Sequence, residues 1–244
     1  MNVLLTGGSR GIGRAAVRAL HKADASIFFT YNRESEQADA LCNELGSRVW
    51  AQQCDIANHA TLPALVDAAL TRLGGIDVLV NNAAIFSENP FSGTDYESWR
   101  AGWQRTFDVN LFGAANLAFL VMQHMRERKR GKILNIVSRA AHRGELTFAD
   151  YGASKAALTN LTKSIARSCA KDGIVAIAIA PGFIETDMAA TDIEERGHEL
   201  TAEVPLGYIG KPEEVASIIT FFASDAANYA NGATIDVNGG SYVR

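Results

Sequence analysis

Tyr151 and Lys155, within the stretch "DYGASKAAL" (150–158), stand four positions apart in a run of small, helix-compatible residues. On a helix, residues at i and i+4 share a face, with Cβ atoms about 5–6 Å apart. A lysine ammonium at that range stabilises phenolate and draws a phenol with an unperturbed pKa of about 10 toward the working range of an acid–base catalyst. The same pair also fits a plain structural use, with the ring packed on a neighbour and the ammonium solvated. Local spacing does not choose between the two, so the rest of the chain must.

A second chemical signal lies at the other end of the chain. "VLLTGGSRGIGRAAVRAL" sets Gly7, Gly11 and Gly13 between a first apolar run and a first helical pattern. Glycine is needed where backbone turns tightly and where a pyrophosphate approaches amide N–H groups at the positive end of a helix. The spacing is G-x-x-x-G-x-G rather than G-x-G-x-x-G, but its place between strand and helix is that of a dinucleotide turn. About 20 residues on, where an acidic side chain would hold an adenosine 2′-hydroxyl, "TYNRE" puts Asn32 and Arg33, with Glu34 expected in the first turn of the next helix. Arg33, with Arg10 inside the glycine turn, offers planar donors suited to a 2′-phosphate, which favours NADPH over NADH.

The elements that must position these residues alternate along the chain. "NVLLT", "SIFFTY", "RVWAQQ", "IDVLVN", "GKILNIVS", "GIVAIAIA" and "ATIDVNG" read as strands, several of them apolar throughout, as strands covered on both faces should be. Helical patterns fall at 12–23, 34–45, 59–73, 98–129, 151–171 and 212–224. The β-α-β-α order, with no linker, repeat or low-complexity tract, predicts an α/β fold over 1–244: a single Rossmann-like domain, a doubly wound parallel sheet of about seven strands with helices on both faces. Segment 183–210 is polar and breaks the rhythm. It is expected to be a long substrate loop.

Composition excludes other classes. The 244 residues are 48% apolar and 20% charged, with a net charge of −4 from 23 basic and 27 acidic side chains. That balance gives no bulk electrostatic case for nucleic acid or an anionic membrane. The basic cluster Arg126, Arg128, Lys129, Arg130 and Lys132 reads as the solvated end of a helix. Cys42, Cys54 and Cys169 are widely spaced and odd in number, which argues for a reducing compartment, and the five histidines fall at no metal-ligand spacing. "MNVLLTGG" runs straight into a strand, leaving no room for a signal peptide, and no apolar run approaches the roughly 18 residues of a spanning helix. A cytoplasmic protein without a metal is expected.

Taken in order, "TGGSRGIG" (6–13), "CDIA" (54–57), "NNAA" (81–84), Asn110 in "DVNLFG", Ser138 in "NIVS", "YGASK" (151–155), "APGFIETDM" (180–188) and "VNGG" (237–240) resemble the short-chain dehydrogenase/reductase family along nearly the whole chain. The resemblance implies a catalytic set of Asn110, Ser138, Tyr151 and Lys155. Tyr151 would give a proton to a substrate carbonyl oxygen, Lys155 would acidify the phenol and touch the nicotinamide ribose, Ser138 would polarise the oxygen, and Asn110 would hold a water linking the lysine to solvent. The implied cofactor contacts are Gly7, Ser9, Arg10, Gly11, Ile12 and Gly13 in the turn, Asn32 and Arg33, then Asp55 and Ile56 by the adenine. Asn82 and Ala83 would form the floor, and Tyr151, Lys155, Pro181, Gly182, Ile184 and Thr186 would surround the nicotinamide. Ala84 replaces the usual glycine of "NNAA".

Within the family the likeness is to 3-oxoacyl-acyl-carrier-protein reductases, which implies NADPH-dependent reduction of a carrier-bound carbonyl, contact of a basic residue near Lys129 with an acidic carrier protein, and a homotetramer built on the two long helices. Two places differ: Asp172 stands where a second basic residue is usual, and Arg143 and Glu145 in "HRGELTFADY" imply a more polar ligand. The alternatives are an NADP-dependent reductase or dehydrogenase of a small polar ketone, alcohol or sugar, and a non-catalytic NADPH-sensing protein, against which the intact Asn-Ser-Tyr-Lys set argues.

Overall fold

The computed structural model describes residues 1–187 and 190–244, without the side chains of 191–193. In chain order the elements are β1 (Asn2–Leu5), α1 (Gly11–Lys22), β2 (Ser26–Tyr31), α2 (Ser35–Leu45), β3 (Val49–Gln53), α3 (Leu62–Leu73), β4 (Val78–Asn81), α4 (Tyr96–Phe107), α5 (Ala114–Arg128), β5 (Gly131–Ile136), α6 (Ala140–Arg143), α7 (Ala149–Ser168), β6 (Ile174–Pro181), α8 (Ala190–Ala202), α9 (Pro212–Ala223) and β7 (Thr234–Val237). The seven strands form one parallel sheet in the order β3-β2-β1-β4-β5-β6-β7. The order reverses between β1 and β4, and the crevice beyond the strand C-termini at such a switch point is where ligands bind in open α/β sheets.

The period of two in a strand explains the all-apolar runs. Val3 and Leu5 of β1 face one core with Ile27 and Phe29 of β2, packed under α1, α2 and α9. Leu4 and Phe28 between them face the opposite core, under α3, α5 and α7. Truncating a fully buried residue such as Leu4 to alanine costs about 2–5 kcal/mol, so both faces tie the strands into place.

Helix starts follow local chemistry. The Asp95 carboxylate caps α4 by accepting from the Ser98 N–H at 3.0 Å. Pro212 opens α9, while Glu214 reaches back to accept from the Lys211 N–H at 2.8 Å. The start of α1 is different: Arg10 is its N-cap, no side chain caps it, and its first turn carries no acid. Its first N–H groups are left for something else.

Three features differ from the sequence reading. The expected helix over 98–129 is α4 and α5 joined by a π turn, Asp108–Gly113, that contains Asn110. The expected loop 183–210 contains α8, bent at Arg196 (φ −133°); Met188 and Ala189, in the same segment, lie outside the described residues. The basic cluster is not simply solvated: Arg126 pairs with Asp172 and Arg128 with Asp77, both at 3.0 Å, and Arg130 with Asp225 at 3.6 Å. Lys132 is buried and donates to the Ser224 carbonyl. All three cysteines are free thiols. No helix among the described residues is long and apolar enough to cross a membrane, and among them no cluster of three or more His, Cys, Asp or Glu is placed to hold a metal.

Candidate active site

A continuous cleft of ≈ 1230 Å³ runs over the C-terminal ends of the strands. Gly7, Ser9, Arg10, Gly11, Ile12, Gly13, Asn32, Arg33, Asp55, Ile56, Asn82 and Ala83 line one end, and Ser138, Tyr151, Lys155, Pro181, Gly182, Ile184 and Thr186 line the other. Of the expected site residues only Asn110 stands behind the wall rather than on it, 1% exposed.

The glycine turn is built for close approach. Gly7 and Gly11 have φ of +70° and +51°, and a Cβ on Gly13 would stand 1.9 Å from the Gly7 carbonyl oxygen. Two threonines that the sequence reading did not single out hold the turn. Thr30 accepts the Gly7 N–H through its hydroxyl at 3.2 Å and the Gly8 N–H through its carbonyl at 2.8 Å. Thr6 Oγ1 accepts the N–H groups of Asn82 and Ala83, each at 3.0 Å. The Asn82 amide donates to the Thr6 and Gly7 carbonyls at 3.0 and 2.9 Å, so its side chain braces the turn. The signal for both threonines was their place at strand ends beside the glycines. A bare helix start, a cradle that side chains would fill and a continuous cleft leading from it fit a nicotinamide dinucleotide.

At the adenosine end Arg33 and Arg10 are joined by an acid. Glu34 is the residue preceding α2 rather than part of its first turn, and its carboxylate pairs with Arg10 at 3.6 Å and accepts the Arg33 N–H at 3.4 Å. Asp55 accepts the Ala57 N–H at 3.0 Å and pairs with Arg105 at 3.2 Å.

At the reaction end, β5 delivers Ser138 just past its last residue, and α7 presents Tyr151 and Lys155 from its first two turns. The Lys155 ammonium, 2% exposed, donates to the Ile136 carbonyl at 2.8 Å and lies 5.7 Å from the centre of the Tyr151 ring. Phe86 meets that ring edge-on at 4.9 Å and stacks on Phe148 at 3.9 Å, giving the phenol an apolar wall. Burial pushes the Tyr151 phenol up to about 12, against the pull of the Ser138 hydroxyl and with a further push from Glu145. Burial brings Lys155 down to about 7. The lysine was expected to make the phenol more acidic; in this cofactor-free structure desolvation dominates both groups. The Asn110 amide is fully engaged: Oδ1 accepts the Ile85 N–H at 2.8 Å, and Nδ2 donates to the Ile85 carbonyl at 3.0 Å and to Ser154 Oγ at 3.2 Å. It clamps the strand end after β4 against α7.

Comparison with known proteins gives the family. A family model described as Enoyl-(Acyl carrier protein) reductase matches residues 7–242. The chain belongs to the short-chain dehydrogenase/reductase family. Among curated members, a 3-oxoacyl-(acyl-carrier-protein) reductase of Vibrio cholerae is 36% identical over 240 residues, 98% of this chain and 96% of that protein. One of Staphylococcus aureus is 34% identical over 245 residues, 99% and 98% of the two. Among solved structures, a short-chain dehydrogenase/reductase of Brucella melitensis described as glucose/ribitol dehydrogenase superposes with a TM-score of 0.91 at 34% identity, covering 100% of this chain and 97% of the other. A 3-ketoacyl-(acyl-carrier-protein) reductase of the same organism, complexed with NADH, gives 0.91 at 28% identity, covering 99% and 98%. As a member of the short-chain dehydrogenase/reductase family, the protein is an oxidoreductase that uses a nicotinamide cofactor on carbonyl or hydroxyl groups.

The family pattern did not signal one group that the fold gathers beside Ser138. Arg139 follows it in sequence, stacks its guanidinium 4.6 Å from the Phe183 ring centre, and pairs at 3.1 Å with Glu203 just past α8. Arg143 pairs with Glu203 at 3.2 Å and with Glu145 at 3.5 Å. Only Arg143 and Glu145 of this quartet were anticipated from the sequence. The segment holding Leu200 and Glu203 forms part of the cleft wall, which gives the expected loop its place over the site.

Proposed function

We propose that the protein is an NADPH-dependent reductase of a carbonyl compound, with Ser138, Tyr151 and Lys155 as its catalytic residues. The observation that carries the reading is that these three side chains share one end of a cleft whose other end is a glycine cradle at a bare helix start. When bound, the cofactor supplies a hydride for the carbonyl carbon. A phenol held at about 12 keeps its proton across physiological pH, the state from which a proton donor must start. Tyr151 gives that proton to the carbonyl oxygen while the Ser138 hydroxyl donates a hydrogen bond to the same oxygen. Lys155, poised near 7 and fixed by the Ile136 carbonyl, balances the phenolate left behind and restores its proton. Asn110 keeps the Ile85 segment in place against α7. Phe86 and Phe148 exclude bulk water.

The likeness to curated relatives supports a 3-oxoacyl thioester, carried on an acyl carrier protein, as substrate. A second reading, a small polar ketone, is favoured by the quartet of Arg139, Arg143, Glu145 and Glu203 and by the neutralised basic cluster. Three of its arginines already have carboxylate partners, and only Lys129 offers an unpaired surface cation there among the described residues. NADPH oxidation with an acetoacetyl thioester and a panel of polar ketones tests both, and no turnover on any of them would refute the reductase assignment.

A further inference from the structure

Asp150 is a charged residue that the proposed mechanism leaves unused, and it directly precedes Tyr151 as the second residue of α7. It is 1% exposed, and among the described residues its carboxylate is met by neutral donors alone. Oδ2 accepts the Thr106 hydroxyl of α4 at 2.6 Å, a length typical of a charge-assisted bond, and the Asn89 amide at 3.4 Å. Oδ1 accepts the Tyr151 N–H at 2.9 Å, one of the donors at a helix start that have no partner inside the helix. A buried carboxylate is costly unless its oxygens are satisfied. Here the donors that satisfy it come from α4, from α7 and from the segment between β4 and α4.

The same junction carries the wall against the Tyr151 ring. Asn89 donates its backbone N–H to the Thr147 carbonyl at 2.7 Å and its side-chain amide to the Trp99 carbonyl at 3.0 Å, and the Thr147 hydroxyl donates to Glu88 at 3.1 Å. These bonds join the segment of Phe86 to that of Phe148, and Phe86 meets the Tyr151 ring edge-on. Gly102 leaves the room for Asn89, since a Cβ there would stand 2.4 Å from Asn89 Nδ2. Lys155 is held differently, by the Ile136 carbonyl of β5. The first and second turns of α7 therefore answer to different elements, and the tie to α4 bears on Tyr151.

We propose that Asp150 is a positioning residue for the reaction: bonded to Thr106, it ties the backbone of Tyr151 to α4 and so sets where the phenol stands beside Ser138. This rests on the reductase reading above and adds to it the pair that aims its proton donor.

The test compares the purified full chain with Thr106→Val, Thr106→Ser, Asp150→Asn and the double variant Thr106→Val/Asp150→Asn, each first shown to be folded by thermal unfolding. The substrates are NADPH and acetoacetyl-coenzyme A, or a polar ketone of the panel above where the thioester is inert. In Thr106→Val, kcat should fall on the order of 10–100-fold, because a misplaced proton donor slows the chemical step. KM for the carbonyl and the NADPH dissociation constant, read by fluorescence titration, should stay within about threefold of the wild type. The solvent deuterium isotope effect on kcat should rise above that of the wild type, a change that a smaller folded fraction does not produce. Thr106→Ser, which restores the hydroxyl, should return kcat to within about threefold, and the double variant should be no slower than Asp150→Asn, since the pair acts as one unit. An unchanged kcat in Thr106→Val, a fall without a larger isotope effect, no rescue by serine, or additive losses each overturn the proposal. If Thr106→Val does not fold, Asp150→Asn carries the same comparison, and failure of both to fold assigns the junction to stability alone and also overturns it. A wild type that reduces no carbonyl refutes the reductase reading and this proposal with it, whereas an active wild type with an unaffected Thr106→Val refutes this proposal only.

Discussion

The Lys155 ammonium donates to the Ile136 carbonyl at 2.8 Å, fixing the second turn of α7 to the C-terminal end of β5. The bond orients a cation that burial disfavours, and this has a measurable consequence for stability. Lys155 falls from 10.5 to about 7, so between those values the unfolded chain holds a proton that the folded chain has released. Stability of the cofactor-free protein should therefore rise with pH from about 7 toward 10, by on the order of a few kcal/mol. Tyr151, raised from 10.0 to about 12, reverses the trend above pH 10, because there the unfolded chain loses a proton that the fold retains. Urea unfolding from pH 6 to 11 measures both limbs, and Lys155→Met should flatten the rising one. A wild-type curve that is level between pH 7 and 10 would contradict the picture.

Tyr151→Phe removes the proposed proton donor and keeps the ring that Phe86 packs against. Turnover should drop by at least ~10³-fold, while NADPH affinity, read by fluorescence titration, stays within about threefold. Loss of cofactor binding instead would mean that the hydroxyl serves the dinucleotide and not the carbonyl.

Gly13→Ala places a methyl group 1.9 Å from the Gly7 carbonyl oxygen, a backbone atom that cannot step aside without opening the turn. Cofactor affinity should weaken by roughly 100-fold, with a stability loss of about 2–4 kcal/mol. Calorimetric titration and thermal unfolding report the two separately.

Cofactor choice should depend on both Arg33 and Glu34. Arg33→Asp is expected to lower the NADPH-over-NADH ratio of kcat/KM by about 100-fold. Glu34→Gln frees Arg10 from a partly exposed pair worth under about 1 kcal/mol, so it should raise the same ratio no more than roughly fivefold. A wild type that prefers NADH would remove the 2′-phosphate reading.

A homotetramer is expected from the family likeness. Tyr96 on α4 and Phe119 on α5 are exposed, and such aromatic residues suit a subunit contact. Light scattering of the purified chain should give four times its mass of 26.2 kDa, and a monomer would refute the assembly.

The sequence made some features legible and hid others for physical reasons. Strands β1, β2, β4 and β6 were visible because burial on both faces leaves nearly unbroken apolar runs, and β2 was delimited to the residue, Ser26–Tyr31. The turn around Gly13 and the pair Tyr151 and Lys155 were visible because each depends on neighbours in sequence. Helix α8 was not, since "ATDIEERGHELTA" is mostly polar and is interrupted by a glycine. The bond between Arg139 and Glu203 joins residues 64 apart, which no local pattern encodes. Spacing reveals a charge near the Tyr151 phenol but not how much water the fold removes from it, and it is burial that sets the direction of its shift here.

The π turn at Asp108–Gly113 takes up one extra residue within a single wide turn. Losing one residue there would restore a regular α turn and leave the helix after it nearly in phase, so Leu117, Val121 and Met125 would keep their places in the core they share with β1 and β5. What would go is the position of Asn110, whose amide holds both the N–H and the carbonyl of Ile85. The joint is therefore a spacer for one side chain: a deletion that the core tolerates would still unfasten the segment beside Tyr151.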